Sequence, residues 1–354
     1  MDRTIEQLLD QLSTTHSLSI EGYQALLEGA TQEVRDELAA RAVRLRQSIY
    51  GTEVFTRGLI EISSYCKNNC YYCGIRAGNN TCERYRLSDE QILQCSDQGY
   101  ELGFRTFVLQ GGEDPALDDE RMCPLIRAIK QRHPDCAITL SLGERSKESY
   151  AALRDAGADR YLLRHETADA AHYAQLHPAN MSFDARMERI GWLRELGFAV
   201  GVGFMVGSPG QTSATLAADL KFIEQFKPEM CGIGPFVPHH ATPFAHEPAG
   251  TLEQTLLLLS IIRLAQPTVL LPATTALGTI HPQGRELGIQ AGANVVMPNL
   301  SPTDVRAKYE LYDNRICTGE EAAECRGCLG ARMLSVGYQL AVDRGDPRTL
   351  PSTA

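Results

Sequence analysis

ELGFRTFVLQ, residues 101–110, reads as a helix that stops on glycine and feeds a buried strand three residues later. Gly103 supplies the left-handed stop, and Thr106–Gln110 is a short apolar run without alternation, as in a parallel strand covered on both faces. The same grammar returns in DAGADRYLLR (155–164), ELGFAVGVGF (195–204) and QAGANVVMP (290–298). Around these stretches the apolar runs are Leu59–Ser63, Thr106–Gln110, Ala137–Ser141, Asp159–Leu163, Ala199–Met205, Met230–Gly234, Thr268–Leu271 and Asn294–Met297, each followed by a helix-compatible segment. Such units predict an α/β fold, a complete (β/α)8 barrel of TIM type. A doubly wound open sheet would show fewer strands and a Gly-rich nucleotide turn after the first. Before the barrel, Ile5, Leu8, Leu9 and Leu12 share a helical face, and Leu38, Ala39, Ala42 and Leu45 repeat the pattern. The expected layout is a helical extension over 1–50, a barrel over 51–303, and a tail over 304–354 packed on it.

Composition narrows the function. The chain has 354 residues, 43% of them apolar, enough for a large core. No apolar run approaches the roughly 18 residues of a membrane helix. The start, MDRTIEQLLDQL, is acidic and amphipathic rather than signal-like, so a cytoplasmic location and no membrane partner are expected. A net charge of −10 argues against nucleic acid, whose phosphates need clustered Lys and Arg. Eleven cysteines without an export signal point to metal binding or catalysis before disulfides. Cys82, Cys95, Cys123, Cys136 and Cys231 are scattered and read as small apolar side chains or free thiols. The others form two groups.

The first group is SSYCKNNCYYCGI (63–75), where Cys66, Cys70 and Cys73 follow a Cys-x3-Cys-x2-Cys spacing just after a strand. Three thiolates on one short loop ligate three corners of a 4Fe–4S cubane and leave one iron open. A structural zinc asks for a fourth nearby ligand. The next thiol here is Cys82 and the next histidine along the chain is His133. The spacing, with the aromatic Tyr72 before the last cysteine, resembles the defining motif of the radical S-adenosylmethionine (SAM) superfamily. That resemblance implies that SAM chelates the open iron and is cleaved to a 5′-deoxyadenosyl radical.

Candidate SAM contacts gather where barrel enzymes carry their chemistry, at the C-terminal ends of strands. That rim collects Cys66, Gln110, Gly111, Gly112, Glu113, Ser141, Arg164, Glu166, Met205, Thr274, Thr275 and Met297. In QGGED (110–114) the paired glycines let backbone approach a ligand, and Glu113 offers charge to an ammonium. Ser141 offers a donor to the SAM carboxylate and Glu166 an acceptor to the ribose. Met205 and Met297 suit an adenine face, although core packing is the default for methionine. Arg186, in DARMERI (184–190), reads on its own as a solvated helix position.

The motifs TFVLQGGEDP, ITLSLGE, DRYLLRHETA, GFMVGSPGQT, GIGPFVPH, PATTALGTI and GANVVMPN span most of the chain. Together they resemble the HydE family of FeFe-hydrogenase maturases, whose relatives biotin synthase and the methylornithine synthase PylB share the barrel. The resemblance implies that Ser141, Glu166 and Arg186 contact SAM. It also implies that Arg160 and Arg164 point into the cavity, and that Thr139, Thr274, Thr275 and Tyr312 line it. Two arginines at i and i+4 of one strand face one side, and with hydroxyls they suit a small anion. A surface salt bridge is the alternative for Arg160. Gly111 stands where some HydE sequences carry serine, which removes one hydroxyl from the cavity. The second group, Cys317, Cys325 and Cys328 in ICTGEEAAECRGC (316–328), resembles the auxiliary surface cluster of some HydE proteins, here expected as 2Fe–2S and dispensable for catalysis. The implied substrate is a small anionic organometallic one, a cysteine-bound Fe(CO)2(CN) synthon delivered by HydG and attacked at sulfur on the way to the diiron subcluster assembled on HydF. A monomer is expected. A PylB-like amino-acid mutase and a non-catalytic iron–sulfur scaffold are the alternatives.

Overall fold

The computed structural model describes residues 2–319 and 321–350. It opens on three helices, α1 (Arg3–Thr15), α2 (Ile20–Glu28) and α3 (Gln32–Tyr50). Each starts on a side-chain cap, from Asp2, Ser19 and Thr31 respectively. Ile5, Leu9, Leu12, Leu38 and Ala42 are buried, while Leu8, Ala39 and Leu45 are half-buried at the margin of the same stripes.

The barrel begins with β1 (Glu53–Thr56) and β2 (Gly58–Ser63). It continues through α4 (Asp89–Glu101), β3 (Thr106–Gly111), α5 (Asp119–Arg132), β4 (Ala137–Ser141), α6 (Lys147–Asp155) and β5 (Arg160–Leu162). Then come α7 (Ala170–Leu176), α8 (Phe183–Glu195), β6 (Ala199–Val202), β7 (Met205–Val206), α9 (Ser213–Phe226), β8 (Met230–Cys231) and β9 (Gly234–Pro235). The chain ends with α10 (Leu252–Ala265), α11 (Thr275–Ile280), α12 (Gly284–Gln290), β10 (Val295–Val296), α13 (Thr303–Arg306), α14 (Ala322–Ser335) and β11 (Gln339–Ala341).

An all-parallel sheet runs β2-β3-β4-β5-β6-β8. Parallel bridges Met230–Leu270, Pro272–Val295 and Leu59–Asn299 carry it round to its start, so the barrel is closed as expected. The run Thr268–Leu271 contributes only bridges, because its flanking Pro267 and Pro272 have no N–H to give. The predicted helix stops hold: Gly103, Gly157, Gly197 and Gly292 take φ of +88°, +112°, +77° and +104°.

The runs 199–205 and 230–234 each break in two. At Gly203 an added Cβ would stand 2.1 Å from the Gly232 carbonyl oxygen, so the backbones touch there, and β7 and β9 pair separately above the break. Neither β1 nor β11 was legible in the sequence. The tail strand β11 lies parallel to β1 at the bottom of the barrel. Beyond it Arg344 accepts from Thr106 Oγ1 through its carbonyl (2.7 Å) and pairs with Asp159 (3.2 Å), so the tail stoppers the N-terminal ends of the strands.

Register identifies the inward face. Val108, Thr139, Arg160 and Ala199 are mutual neighbours across β3–β6, with Glu61, Gln110 and Ser141 in the layer above. The alternate residue Tyr161 points the other way, edge-on to Tyr150 of α6 at 5.0 Å. Cys95, Cys123, Cys136 and Cys231 are buried and Cys82 is half-buried. Among the described residues no helix is long and apolar enough to cross a membrane.

Candidate active site

The loop after β2 carries Cys66, Cys70 and Cys73 and is folded around one arginine. Arg84 donates to the carbonyls of Ile75 (2.7 Å) and Arg76 (2.7 Å), and Asn79 Nδ2 donates to Gly74 O (2.6 Å). The three sulfur atoms do not all lie within 4.8 Å of one another. A single tetrahedral zinc would draw thiolates to about 4 Å. The wider spread suits a cluster held at its corners. Burial pushes the Cys70 thiol up to about 12, with Cys66 adding to the shift, and burial also raises Cys66 and Cys73.

Tyr72 lies between Cys70 and Cys73 in the loop, its hydroxyl 3.1 Å from His177 Nε2. His177 Nδ1 sits 3.0 Å from the Tyr173 carbonyl and must donate to it, so Nε2 accepts from the tyrosine. Burial lowers His177 from its ordinary 6.5 to about 4. Its proton is therefore bound first by the unfolded chain, and this contribution to stability is lost as pH falls from about 6.5 to 4, by roughly 3 kcal/mol. Urea unfolding at pH 7 and pH 5 should show a shallower loss in His177→Phe than in the wild type; equal losses would mean that another group titrates.

The GGE turn meets this loop closely. A Cβ on Gly112 would stand 2.3 Å from Tyr65 O and 2.7 Å from Cys66 Cβ, so only glycine allows the approach. Glu113 Oε1 accepts from the Glu144 amide (2.8 Å), and Lys67 Nζ stands 3.4 Å from its other oxygen. The next residue, Asp114, accepts from Ser63 Oγ (2.6 Å) and from Arg86 Nε and Nη2 (2.7 and 3.0 Å). That brace ties the turn to the far end of the cluster loop. Beside it opens a polar cleft of about 500 Å³, lined by Lys67, Glu113, Glu144, Met181, Ser182 and Arg189 among others.

Arg186 corrects the sequence-only reading of a solvated helix position. It is buried, its Nε paired with Glu144 Oε1 (2.6 Å) and its Nη1 donating to the Arg164 carbonyl (2.6 Å). Glu166 follows β5 in left-handed backbone, φ +63°, with Arg164 Nη2 3.3 Å from its Oε2. Ser141 ends β4 beside Gln110, whose Nε2 donates to the Tyr309 hydroxyl (3.4 Å). The two methionines part company. Met205 packs with Leu176, Phe236 and Tyr72, whereas Met297 packs on the group holding Met230, Leu270 and Val295.

Lower in the barrel, Arg160 and Thr139 share the inward face. Thr139 Oγ1 and Thr274 Oγ1 are buried without a hydrogen-bond partner, as are Nε and Nη2 of Arg164. Thr275 opens α11, and burial raises the Tyr312 phenol. Arg160 departs from the expectation of a free cavity cation. It lies at the stoppered end, donating to Arg344 O (2.8 Å) and paired with Asp346 (2.6 Å), so its charge is already met by the tail.

Sequence reasoning missed two lumen residues, Arg57 and Glu61, although Arg57, Leu59 and Glu61 alternate as one face of a strand should. Arg57 is buried, with Nε and Nη2 unpartnered and Nη1 2.9 Å from Met230 Sδ. Glu61 is buried against Arg315, which arrives with the segment Tyr309–Arg315. This segment covers the mouth, Gly74 N–H donating to Leu311 O (2.9 Å) and Asp313 N–H to Pro238 O (3.1 Å). His239, His240 and Asp313 offer metal-ligand atoms within 4.8 Å there. However, Ala241 N–H donates to His239 Nδ1 (3.0 Å), leaving the proton on the nitrogen a metal would need.

In the tail, Cys325 and Cys328 project from α14 and Cys317 from the preceding loop, with φ +64°. Arg285 Nη2 stands 3.0 Å from Cys317 Sγ.

The sequence profile of the radical SAM superfamily matches residues 60–223. Over 304 residues the chain is 43% identical to FeFe hydrogenase maturase subunit HydE of Thermotoga maritima, covering 86% of each. It is 29% identical over 314 residues to 3-methylornithine synthase of Methanosarcina barkeri, covering 86% of this chain and 88% of that one. The crystal structure of methylornithine synthase PylB superposes with a TM-score of 0.82 at 26% identity, covering 94% of this chain and 97% of that one. Likeness of this degree along nearly the whole length, with the cysteine loop inside the matched segment, makes the chain a radical SAM enzyme that belongs to the HydE family.

Proposed function

We propose that the chain matures FeFe hydrogenase by acting on a small anionic substrate, a cysteine-bound Fe(CO)2(CN) synthon, on the way to the diiron subcluster. One observation carries the reading: donors stand unused inside the barrel. Nε and Nη2 of Arg57, with Thr139 Oγ1 and Thr274 Oγ1, are buried without hydrogen-bond partners, and Arg164 is held only by an ion pair to Glu166 (3.3 Å), its Nε unpartnered. Burying cations and hydroxyls unpaired is costly, so a barrel that keeps them is built to receive an anion. Cyanide nitrogen accepts hydrogen bonds from such donors.

Cys66, Cys70 and Cys73 would hold the 4Fe–4S cluster, which when bound supplies the electron that cleaves SAM to methionine and the 5′-deoxyadenosyl radical. The chain itself binds and orients. Gly112 admits the backbone to the cluster loop, Glu113 faces the methionine ammonium, Ser141 its carboxylate, and Glu166 the ribose. The Tyr309–Arg315 segment keeps water from the mouth. Arg164, at the open end of the lumen, is the better substrate ligand, and Arg160 anchors the tail. Cys317, Cys325 and Cys328 are read as ligands of a second, 2Fe–2S cluster outside the barrel, supported by the guanidinium beside Cys317. A cytoplasmic monomer meeting HydG and HydF transiently completes the reading.

The test is anaerobic: reduce the reconstituted protein, add SAM, and quantify 5′-deoxyadenosine with the iron complex, with lysine, or with neither. Stimulation by the iron complex supports the maturase. Stimulation by lysine alone favours a PylB-like mutase, the second reading, which the 29% identity to 3-methylornithine synthase supports. Arg164→Ala should lower turnover of the iron complex by about 10- to 100-fold, the worth of a charged hydrogen bond, while uncoupled SAM cleavage survives. Loss of both would move Arg164 into the SAM site.

A further inference from the structure

Glu166 alone among the candidate SAM contacts other than glycine has left-handed backbone, with φ +63°. Glutamate has no intrinsic liking for that region, so its surroundings must impose it. Two connections do so. The Glu166 amide donates to the Gly203 carbonyl (3.0 Å), and the Gly203 amide donates to His165 Nδ1 (3.2 Å). Because Nδ1 accepts, the imidazole proton lies on Nε2, which stands 3.3 Å from Asp219 Oδ1, a charge contact without the alignment of a hydrogen bond. The same oxygen accepts from the Ala168 amide at 2.5 Å. His165 and Asp219 are both fully buried. Asp219, carried on α9, thus binds the amide two residues after Glu166 and packs its carboxylate against the imidazole just before it. The other oxygen of Asp219 has no hydrogen-bond partner.

We propose that Asp219 is a positioning residue for the ribose of SAM, acting through His165 and the Ala168 amide to hold Glu166 in the conformation that presents its carboxylate at the rim. The proposal rests on the reading of Glu166 as the ribose acceptor. It belongs to α9, whose helix is otherwise part of the outer layer, and it makes the His165–Ala168 turn a preorganised support.

The experiment uses the reconstituted holoenzyme and two substrates, SAM and its 2′,3′-dideoxyribose analogue, with KM and kcat for uncoupled 5′-deoxynucleoside formation. Wild type should discriminate against the analogue by about tenfold or more in KM, the worth of a hydrogen bond to a charged group. Asp219→Leu should raise KM for SAM by a similar factor and leave KM for the analogue nearly where it was, so that discrimination collapses while iron content is retained. An equal rise for both substrates would make Asp219 merely structural and overturn the proposal. Where Asp219→Leu loads no iron, His165→Phe carries the same comparison, since it removes the imidazole between Gly203 and Asp219 while Asp219 still accepts from the Ala168 amide; it should lose part of the discrimination, and full retention would overturn the proposal. Glu166→Gln separates the two levels. If it keeps wild-type discrimination, the ribose reading fails and the proposal with it. If it loses discrimination and the Asp219 variants do not, Glu166 keeps its role and only the positioning claim falls.

Discussion

Gly112→Ala should lower 5′-deoxyadenosine formation by roughly 100-fold, the cost of displacing reacting groups by about an ångström. The added carbon would meet the Tyr65 carbonyl at 2.3 Å and Cys66 Cβ at 2.7 Å. Neither is the free end of a flexible side chain, so the GGE turn and Cys66 must move apart. Gly111→Ala is the internal control. Its Cβ would stand no nearer than 3.4 Å to Leu117 Cδ1 and Ser63 O, an ordinary contact. Iron content, SAM binding and deoxyadenosine yield should therefore separate the neighbours sharply. Equal tolerance of both substitutions would show that the turn and the cluster loop are not in the close contact described.

Arg315→Ala should destabilise the protein by about 3–5 kcal/mol, the usual cost of stranding a buried charge. Glu61 is fully buried within the barrel, and its Oε2 accepts from Asn299 Nδ2 (2.9 Å) and Arg315 Nη1 (3.3 Å). Burial pushes the Glu61 carboxyl up, and Arg315 beside it is the chief opposing influence. Without Arg315 the carboxylate must either take up a proton or remain unpaired. The segment over the mouth would also lose its only charged tether into the lumen among the described residues, keeping the Leu311 and Asp313 contacts to the neighbouring loops. Urea unfolding measures the first effect, and hydrogen exchange over Tyr309–Arg315 the second. Adding Glu61→Gln should recover part of the stability; no recovery would mean that packing rather than charge is at stake.

The cysteine loop, the GGE turn and the alternation of helix stops with buried strands were legible because each is written in consecutive residues. A left-handed glycine, a thiol spacing and a capping hydroxyl act over one turn of chain, and their energetics change little with what lies across the molecule. The rim followed from them, since strand ends in a closed barrel converge whatever the sequence between. Other features were hidden for the opposite reason. Arg57 and Glu61 alternate correctly on paper, but only the register of β2 against its neighbours makes their face the lumen. Arg186 looks solvated on its own helix and is buried because Glu144 and the Arg164 carbonyl come to meet it.

On its own, then, the sequence determined the barrel, the cysteine loop and the kinship, all properties of local spacing and periodicity. Tertiary structure alone decided which charges are met and which stay open. It set Arg160 against Asp346 at the stoppered end, Arg315 against Glu61 at the mouth and Arg164 beside Glu166, left Arg57 with unused donors inside, and placed Asp219 behind Glu166. Those assignments depend on barrel closure and on where the tail docks, because the Coulomb and hydrogen-bond partners of a buried charge are fixed by distance in space and not by distance along the chain.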